Sequence, residues 1–359
     1  MHSNKSAKLV LIKENNMNKI LTVIIPTYNM EKYITKCLDS LLVSEDNMNL
    51  LEVLVVNDGS KDASSEIAHK YEDRFPQTFR VIDKQNGNYG SCINRGLKEA
   101  QGKYVKVLDA DDYYNTESFN RYLVKLTKVD ADIISNHFET VKENGDKIRL
   151  FRFHFSDNVT IPLSDCDTYL LTIITMHGLA YRRELLINNA YSQTEGISYT
   201  DQEWSFKPFG MAKTLYDSDE VLYKYLLGRE GQTMEPAKMA ASVKNLEKVA
   251  NELVGYYSGK QWEEWLDNIY MKKLMMLINS IYLIQLTCSK DLHPSALVEF
   301  DKNLLTANKK VYDSLSNQPI HEKVLRFKYI NMWRKGHDTR LKCSLVLYKC
   351  FQKVQRIVS

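Results

Sequence analysis

From Ile20 to about Ile134, short runs of β-branched and aliphatic residues alternate with helical segments, and this alternation limits the fold more than any other feature. Residues 21–25 form an apolar run stopped by Pro26, and residues 51–56, 79–82, 104–108 and 132–135 repeat the pattern. Helical spacing predicts helices over 31–42, 63–71, 91–100 and 118–127. Strands that alternate with helices need crossover connections, which build βαβ units and a parallel sheet. Near-continuous apolar strands agree, because such a sheet is covered on both faces.

The pattern then changes. Residues 138–141 and 147–155 flank Asn144-Gly145, which reads as a hairpin. Residues 160–230 are mixed, with helical stretches at 165–174 and 201–206. After Pro236 strand signals vanish, and helices are expected over 237–257, 261–286, 295–315 and 343–357. Met17-Asn-Lys is a second plausible start. The expected organisation is an N-terminal extension (1–18), an α/β domain (19–232) and a helical C-terminal domain (233–359).

Lys+Arg 48 against Asp+Glu 45 leaves a net charge of +3 on 359 residues, which argues against a nucleic-acid binder and against an acidic disordered chain. The six cysteines are scattered with no Cys-x-x-Cys, so they read as reduced thiols of a cytosolic protein rather than a zinc site or disulfide framework. No apolar run approaches the roughly 20 residues that span a bilayer, and no signal peptide is legible.

Three polar segments follow strands: Pro26-Thr27-Tyr28-Asn29, Asn57-Asp58-Gly59-Ser60 and Asp109-Ala110-Asp111-Asp112. The carboxyl ends of parallel strands converge on one edge, where such folds bind ligands. Acids crowded there repel unless a cation or a donor-rich ligand compensates them. Asp109-x-Asp111 suits a hard ion such as Mg2+ or Mn2+, and Asp58 is placed to accept from a base N–H or a ribose hydroxyl. Alone, an Asp-x-Asp after a strand is more often a turn or helix cap, and Asp58-Gly59-Ser60 reads equally as turn chemistry. A calcium loop is excluded because Tyr114 stands where its glycine must be, and a dinucleotide fingerprint is absent after the first strand.

In this order, Ile24-Ile25-Pro26-Thr27-Tyr28-Asn29, Val55-Val56-Asn57-Asp58-Gly59-Ser60, Ala100-Gln101-Gly102-Lys103-Tyr104 and Leu108-Asp109-Ala110-Asp111-Asp112 strongly resemble the family 2 glycosyltransferases over about residues 19–232. The resemblance implies the GT-A fold, a Rossmann-like, mostly parallel mixed sheet flanked by helices, and inverting transfer from a nucleotide sugar. It implies that Thr27, Tyr28 and Asp58 hold uridine, with Pro26 shaping the nucleotide-binding loop, that Asp109 lies near the ribose, and that Asp111, with Asp109, binds Mn2+ or Mg2+. Thr200-Asp201-Gln202-Glu203 looks like the family's acidic motif, which implies Asp201 as base with Glu203 its rival. The segment from Tyr225 to Thr233 resembles a loop closing over the pyrophosphate, with Arg229 the phosphate contact. One departure stands out: Ile93 occupies the place of an arginine that contacts the nucleotide in many members, and Arg95 would point elsewhere on the helix. Lys84 or Arg229 is left to supply that charge, and no histidine matches a third metal ligand.

Other classes fare worse. A phosphotransferase of haloacid-dehalogenase type carries its Asp-x-Asp on the first strand, whereas Asp109 follows the fourth. A scaffold subunit that keeps the fold without turnover remains the alternative, although such subunits often lose the metal or base aspartates. His177 is read either as lining an acceptor pocket or as a packed structural residue. The tail 321–359 carries ten basic residues against two acidic ones, interleaved with Phe327, Tyr329, Ile330, Trp333, Leu347 and Phe351. It reads equally as a solvated helix or as a peripheral contact with the cytoplasmic face of a membrane. The expected partners are a UDP-sugar, a glycan or lipid-linked saccharide acceptor in bacterial surface-glycan synthesis, and a second copy of the chain.

Overall fold

The computed structural model describes residues 19–156, 158–229, 232, 236–289, 291–320 and 325–358. The expected extension 1–18, and the 225–233 loop beyond Arg229 apart from Gln232, lie outside the described residues. The chain divides into two compact units, one ending at Arg229 and the other beginning at Glu230.

The first unit is built on one mixed sheet. Its strands are β1 (Leu21–Thr27), β2 (Leu51–Asn57), β3 (Phe79–Asp83), β4 (Tyr104–Val107), β5 (Tyr113–Tyr114), β6 (Ile133–Val141), β7 (Lys147–Phe151), β8 (Thr160–Pro162), β9 (Leu179–Arg182) and β10 (Thr214–Leu226). Their order is β3-β2-β1-β4-β9-β6-β10-β5, with β7 beside β6 and β8 beside β10. β3, β2, β1 and β4 are mutually parallel, as the apolar runs require. The mixed character enters at β9, which is antiparallel to both β4 and β6, while β10 is parallel to β6. Thr27 pairs with Asn57 and Asn57 with Asp83, and Val107 lies opposite Ile24. That register sets the loops after β1, β2 and β4 side by side.

Helices cover the sheet with their apolar faces. The Asn88–Glu99 helix buries Cys92, Ile93, Gly96 and Leu97, and it approaches β1 so closely that a Cβ on Gly96 would lie 2.6 Å from Ile24 Cγ2. The helix expected over 31–42 is confined to Ile34–Asp39. The amides of Met30 and Glu31 instead donate to Ser64 Oγ (2.7 Å) and Asp62 Oδ2 (3.0 Å), so side chains take groups a longer helix would use. The Asn-Gly hairpin forms, with Gly145 at φ +89°.

The longest strand, β10, sits where the sequence reads as mixed. Asp217, Asp219 and Glu220 fall inside it, and Asp219 at φ +53° marks a bulge that breaks the two-residue alternation. Buried Asp217 is satisfied by Ser135 Oγ (3.0 Å) and the Phe155 amide (3.0 Å), and Glu220 by Arg121 and Lys125.

The described part of the second unit is helical, with helices Pro236–Ala241, Val243–Ser258, Glu264–Cys288, Ser295–Ala307, Lys309–Leu315, Tyr329–Arg334 and Asp338–Val358. Its core holds Ile269, Tyr270, Ile278, Ile281, Leu297, Leu304 and Val311. Tyr329, Ile330 and Trp333 of the basic tail are buried in this core, and Arg334 is bound to Asp301. Part of the tail's apolar content is therefore spent on packing. Among the described residues no helix is long and apolar enough to cross a membrane.

Candidate active site

The loops after β1 and β2 are laced together by side chains. Asn29, held at φ +55°, accepts from the Lys61 amide at 2.8 Å, and its own amide donates to Ser60 Oγ. Thr27 is buried, Pro26 half-buried and Tyr28 exposed. The Asp58 carboxylate is buried and accepts from Lys84 Nζ (2.6 Å) and the amides of Gly87 and Asn88 (both 2.9 Å). A carboxylate offers about four lone-pair directions, so roughly one remains for a ligand. Lys84 also donates to Ser91 Oγ and the Gln85 carbonyl, which uses all three of its donors. It fixes Asp58 rather than standing ready for a phosphate. Ile93 is fully buried, and Arg95 binds Glu99 at 2.8 Å, away from this edge.

The turn Asp109–Asp112 closes with the Asp112 amide on the Asp109 carbonyl. Asp109 accepts from the Tyr89 hydroxyl (2.8 Å), while its amide donates to the Tyr223 hydroxyl. Asp112 is buried and accepts from the Tyr223 hydroxyl (2.6 Å) and the Leu226 amide (2.7 Å). Asp111 is bound by Arg229 Nε, whose guanidinium lies 5.6 Å from the Tyr33 ring centre. Burial, and then the charge of Asp111, push Asp109 up to about 7, against the Tyr89 hydrogen bond. Asp112 is raised by the same causes. Burial and mutual repulsion thus oppose ionisation of Asp109 and Asp112 together.

His177 is the residue that spacing did not reveal as a metal-ligand candidate. It stacks on Tyr225 at 4.3 Å and packs against Phe138 and Tyr223. Ligand atoms of Asp109, Asp112 and His177 all lie within 4.8 Å of one another. Burial and nearby Lys106 push the imidazole down to about 3, so it is neutral, the form that ligates a metal. Buried Lys106 holds the His177 segment, with Nζ donating to Asn136 Oδ1 (2.8 Å) and the carbonyls of His177 and Leu179. Carboxylate oxygens and a neutral imidazole are a donor set that a hard divalent cation accepts.

Asp201 opens the short Asp201–Trp204 helix after Tyr199, which holds φ +69°. Burial pushes its carboxyl up to about 6, against a hydrogen bond from Gln202. Its charge acts on Asp109, Tyr89 and Tyr225, so it faces the same acidic cluster. Glu203 is fully buried on Lys207 Nζ (2.7 Å) and the Thr194 amide. It holds the 192–194 segment and has no face open to a substrate. That segment is tied to the Asn88–Glu99 helix by Gln193 and Asn94, and the Gly196 amide reaches the Gly87 carbonyl, which couples Asp201 to the Asp58 loop.

Residues 22–189, from β1 through the Arg183–Asn188 helix, match the family model described as Glycosyl transferase family 2. An uncharacterized glycosyltransferase of Bacillus subtilis, EpsJ, is 29% identical over 251 residues, 67% of this chain and 71% of the relative. The Staphylococcus aureus poly(ribitol-phosphate) beta-N-acetylglucosaminyltransferase TarS is 29% identical over 216 residues, 60% of this chain and 37% of the relative. An uncharacterized glycosyltransferase of Mycoplasma pneumoniae is 42% identical over 104 residues, 28% of this chain and 34% of its own. The chain thus spans only about a third of the length of these last two relatives. The crystal structure of S. aureus TarS residues 1–349 in complex with UDP-GlcNAc superposes with a TM-score of 0.67 at 22% identity, over 92% of this chain and 91% of that one. The matched residues hold the strand ends and the acidic turn that build the site; on that match residues 22–189 form a glycosyltransferase family 2 domain, and the structural likeness shows a GT-A fold.

Proposed function

We propose that the chain is an inverting glycosyltransferase that moves a sugar from a UDP-sugar to an acceptor hydroxyl in bacterial polysaccharide or surface-glycan synthesis. The observation that carries this reading is the convergence of Asp58, the Asp109–Asp112 turn with Arg229, and Asp201 on one edge of the sheet. Thr27, Tyr28 and the last acceptor direction of Asp58 receive the uridine, shaped by Pro26, and Asp109 lies against the ribose. Asp109 and Asp111 are the carboxylates that would hold Mn2+ or Mg2+, with Asp112 and His177 the groups whose ligand atoms lie within 4.8 Å of that of Asp109. A bound cation would supply Lewis-acid neutralisation of the diphosphate's charge.

The residues of this chain account for the rest. Arg229 is shared between Asp111 and an incoming diphosphate, so donor binding exchanges one anionic partner for another. Asp201 takes the proton from the acceptor hydroxyl as that oxygen attacks the anomeric carbon opposite the leaving diphosphate. A carboxyl near 6 is mostly ionised at neutral pH and still basic enough for the task. Retention of both the metal carboxylates and a base favours this reading over an inactive scaffold subunit. We place the protein at the cytoplasmic face of a membrane, with the exposed Phe327, Val346 and Leu347 and the tail's cations as the contact, and a second copy as a partner.

The test is thermal unfolding against a panel of nucleotide sugars headed by UDP-GlcNAc, with and without Mn2+. A tight ligand stabilises the fold by RT ln(1 + [L]/Kd). A cation-dependent shift that is lost in Asp111→Asn supports the reading. No shift with any nucleotide would sink it.

A further inference from the structure

The opposite edge of the sheet carries a second concentration of charge. β1 and β4 start there, and β9, running antiparallel, ends there, with Arg182 in register with Tyr104. A cavity of about 340 Å³ opens between these ends. Its walls include Lys19, Lys103, Arg182 and Arg183, with Gln101 beside them and Glu184 as the one acid.

The donors of these cations are only partly used. Lys19 Nζ donates to the carbonyls of Leu51 and Gln77 (both 2.8 Å), which leaves one N–H. Lys103 Nζ donates to the Val129 carbonyl (2.7 Å) and lies 3.2 Å from the exposed Asp130, which again leaves one. Arg183 donates through Nε to the Gly102 carbonyl (3.2 Å), and its terminal nitrogens meet no acceptor among the described residues. Arg182 is neutralised by Asp130 and Asp132 and contributes little. Three cations are thus anchored to backbone at strand ends, where they cannot relax apart. Burial lowers the Lys19 pKa, and the charge of Glu52 offsets part of that cost. A group with several acceptor oxygens and more than one negative charge matches these donors, and the cavity volume sits at the lower end of those that take small ligands.

We propose that this cavity is an anion site for a phosphate group, separate from the donor site and recognised by Lys19, Lys103 and Arg183. The phosphate is either free or part of a lipid headgroup, and the experiment distinguishes the two. Thermal unfolding of the full chain is followed against inorganic phosphate at constant ionic strength. A saturable stabilisation is expected, weakened about tenfold in Arg183→Met and strengthened in Glu184→Gln, which removes the cavity's acid without disturbing an anchored cation. Arg229→Met, a change confined to the candidate active site, leaves the Arg183-dependent part in place. A second arm measures co-sedimentation with phosphatidylglycerol and phosphatidylcholine vesicles. Binding to the former alone, lost in Arg183→Met, assigns the headgroup; a phosphate response without vesicle binding assigns soluble phosphate. A phosphate response that Arg183→Met and Glu184→Gln leave unchanged, or the absence of both responses, overturns the proposal.

Discussion

Replacing Asp201 by Asn separates the cost of this carboxylate to the fold from its use in the reaction. An ordinary aspartate titrates near 3.8, and burial raises Asp201 to about 6. At about 1.4 kcal/mol per pKa unit, the ionised form costs the fold up to about 3 kcal/mol, a ceiling that residual contact with water lowers. The sign follows from linkage. Below pH 3.8 the group is protonated in both the folded and unfolded chain, and no cost arises. Between pH 3.8 and 6 the unfolded chain ionises first, so stability declines as pH rises, and above 6 the full cost is present. Asp201→Asn never ionises, so it is expected to be more stable than the wild type by about 1–3 kcal/mol at pH 7 and by nothing at pH 3.5. Urea unfolding at the two pH values measures this. Transfer should meanwhile fall by about 10²–10⁴-fold, the usual loss of a general base, and the wild-type rate should decline as pH drops through about 6. Equal stability at both pH values would refute the desolvation of Asp201, and retained transfer would refute its role as base.

Other residues test the surrounding framework. Asp111→Asn removes the partner of Arg229 and a candidate metal ligand, so UDP binding in Mn2+ should weaken by on the order of tenfold or more, read by calorimetry. Glu203→Ala strips the carboxylate from buried Lys207 and should cost about 3–5 kcal/mol in urea unfolding, while the protein that remains folded still binds nucleotide. Tyr223→Phe removes a hydroxyl that donates to Asp112 and accepts from the Asp109 amide, and should lower stability by about 1–3 kcal/mol.

The parallel half of the sheet was legible because its strands are apolar on both faces and its helices keep a clear spacing. The register of Thr27, Asn57 and Asp83 then follows, and with it the convergence of the polar loops. β10 was not legible, because Asp217 and Glu220 look like loop residues until Ser135, Arg121 and Lys125 are brought beside them by the fold. The site divides the same way. Asp58, Asp109, Asp111 and Asp201 follow strands or open a helix within recognisable motifs. Tyr89, Tyr223 and His177 reach the acidic turn from distant segments, and no local spacing announces them. Lys84 shows the limit of reading charge alone: it stood with Arg229 as a candidate for the missing nucleotide-contacting charge, yet its donors are spent on Asp58, Ser91 and a carbonyl.

Donor turnover measures the proposed chemistry most directly. Purified protein is incubated with each UDP-sugar of a panel in Mn2+ or Mg2+, with water and short saccharides as acceptors, and UDP release is followed by chromatography. Release that requires the cation and is abolished in both Asp201→Asn and Asp111→Asn is the expected result. A wild type as inert as both variants with every donor and acceptor would contradict it and leave the fold serving as a scaffold.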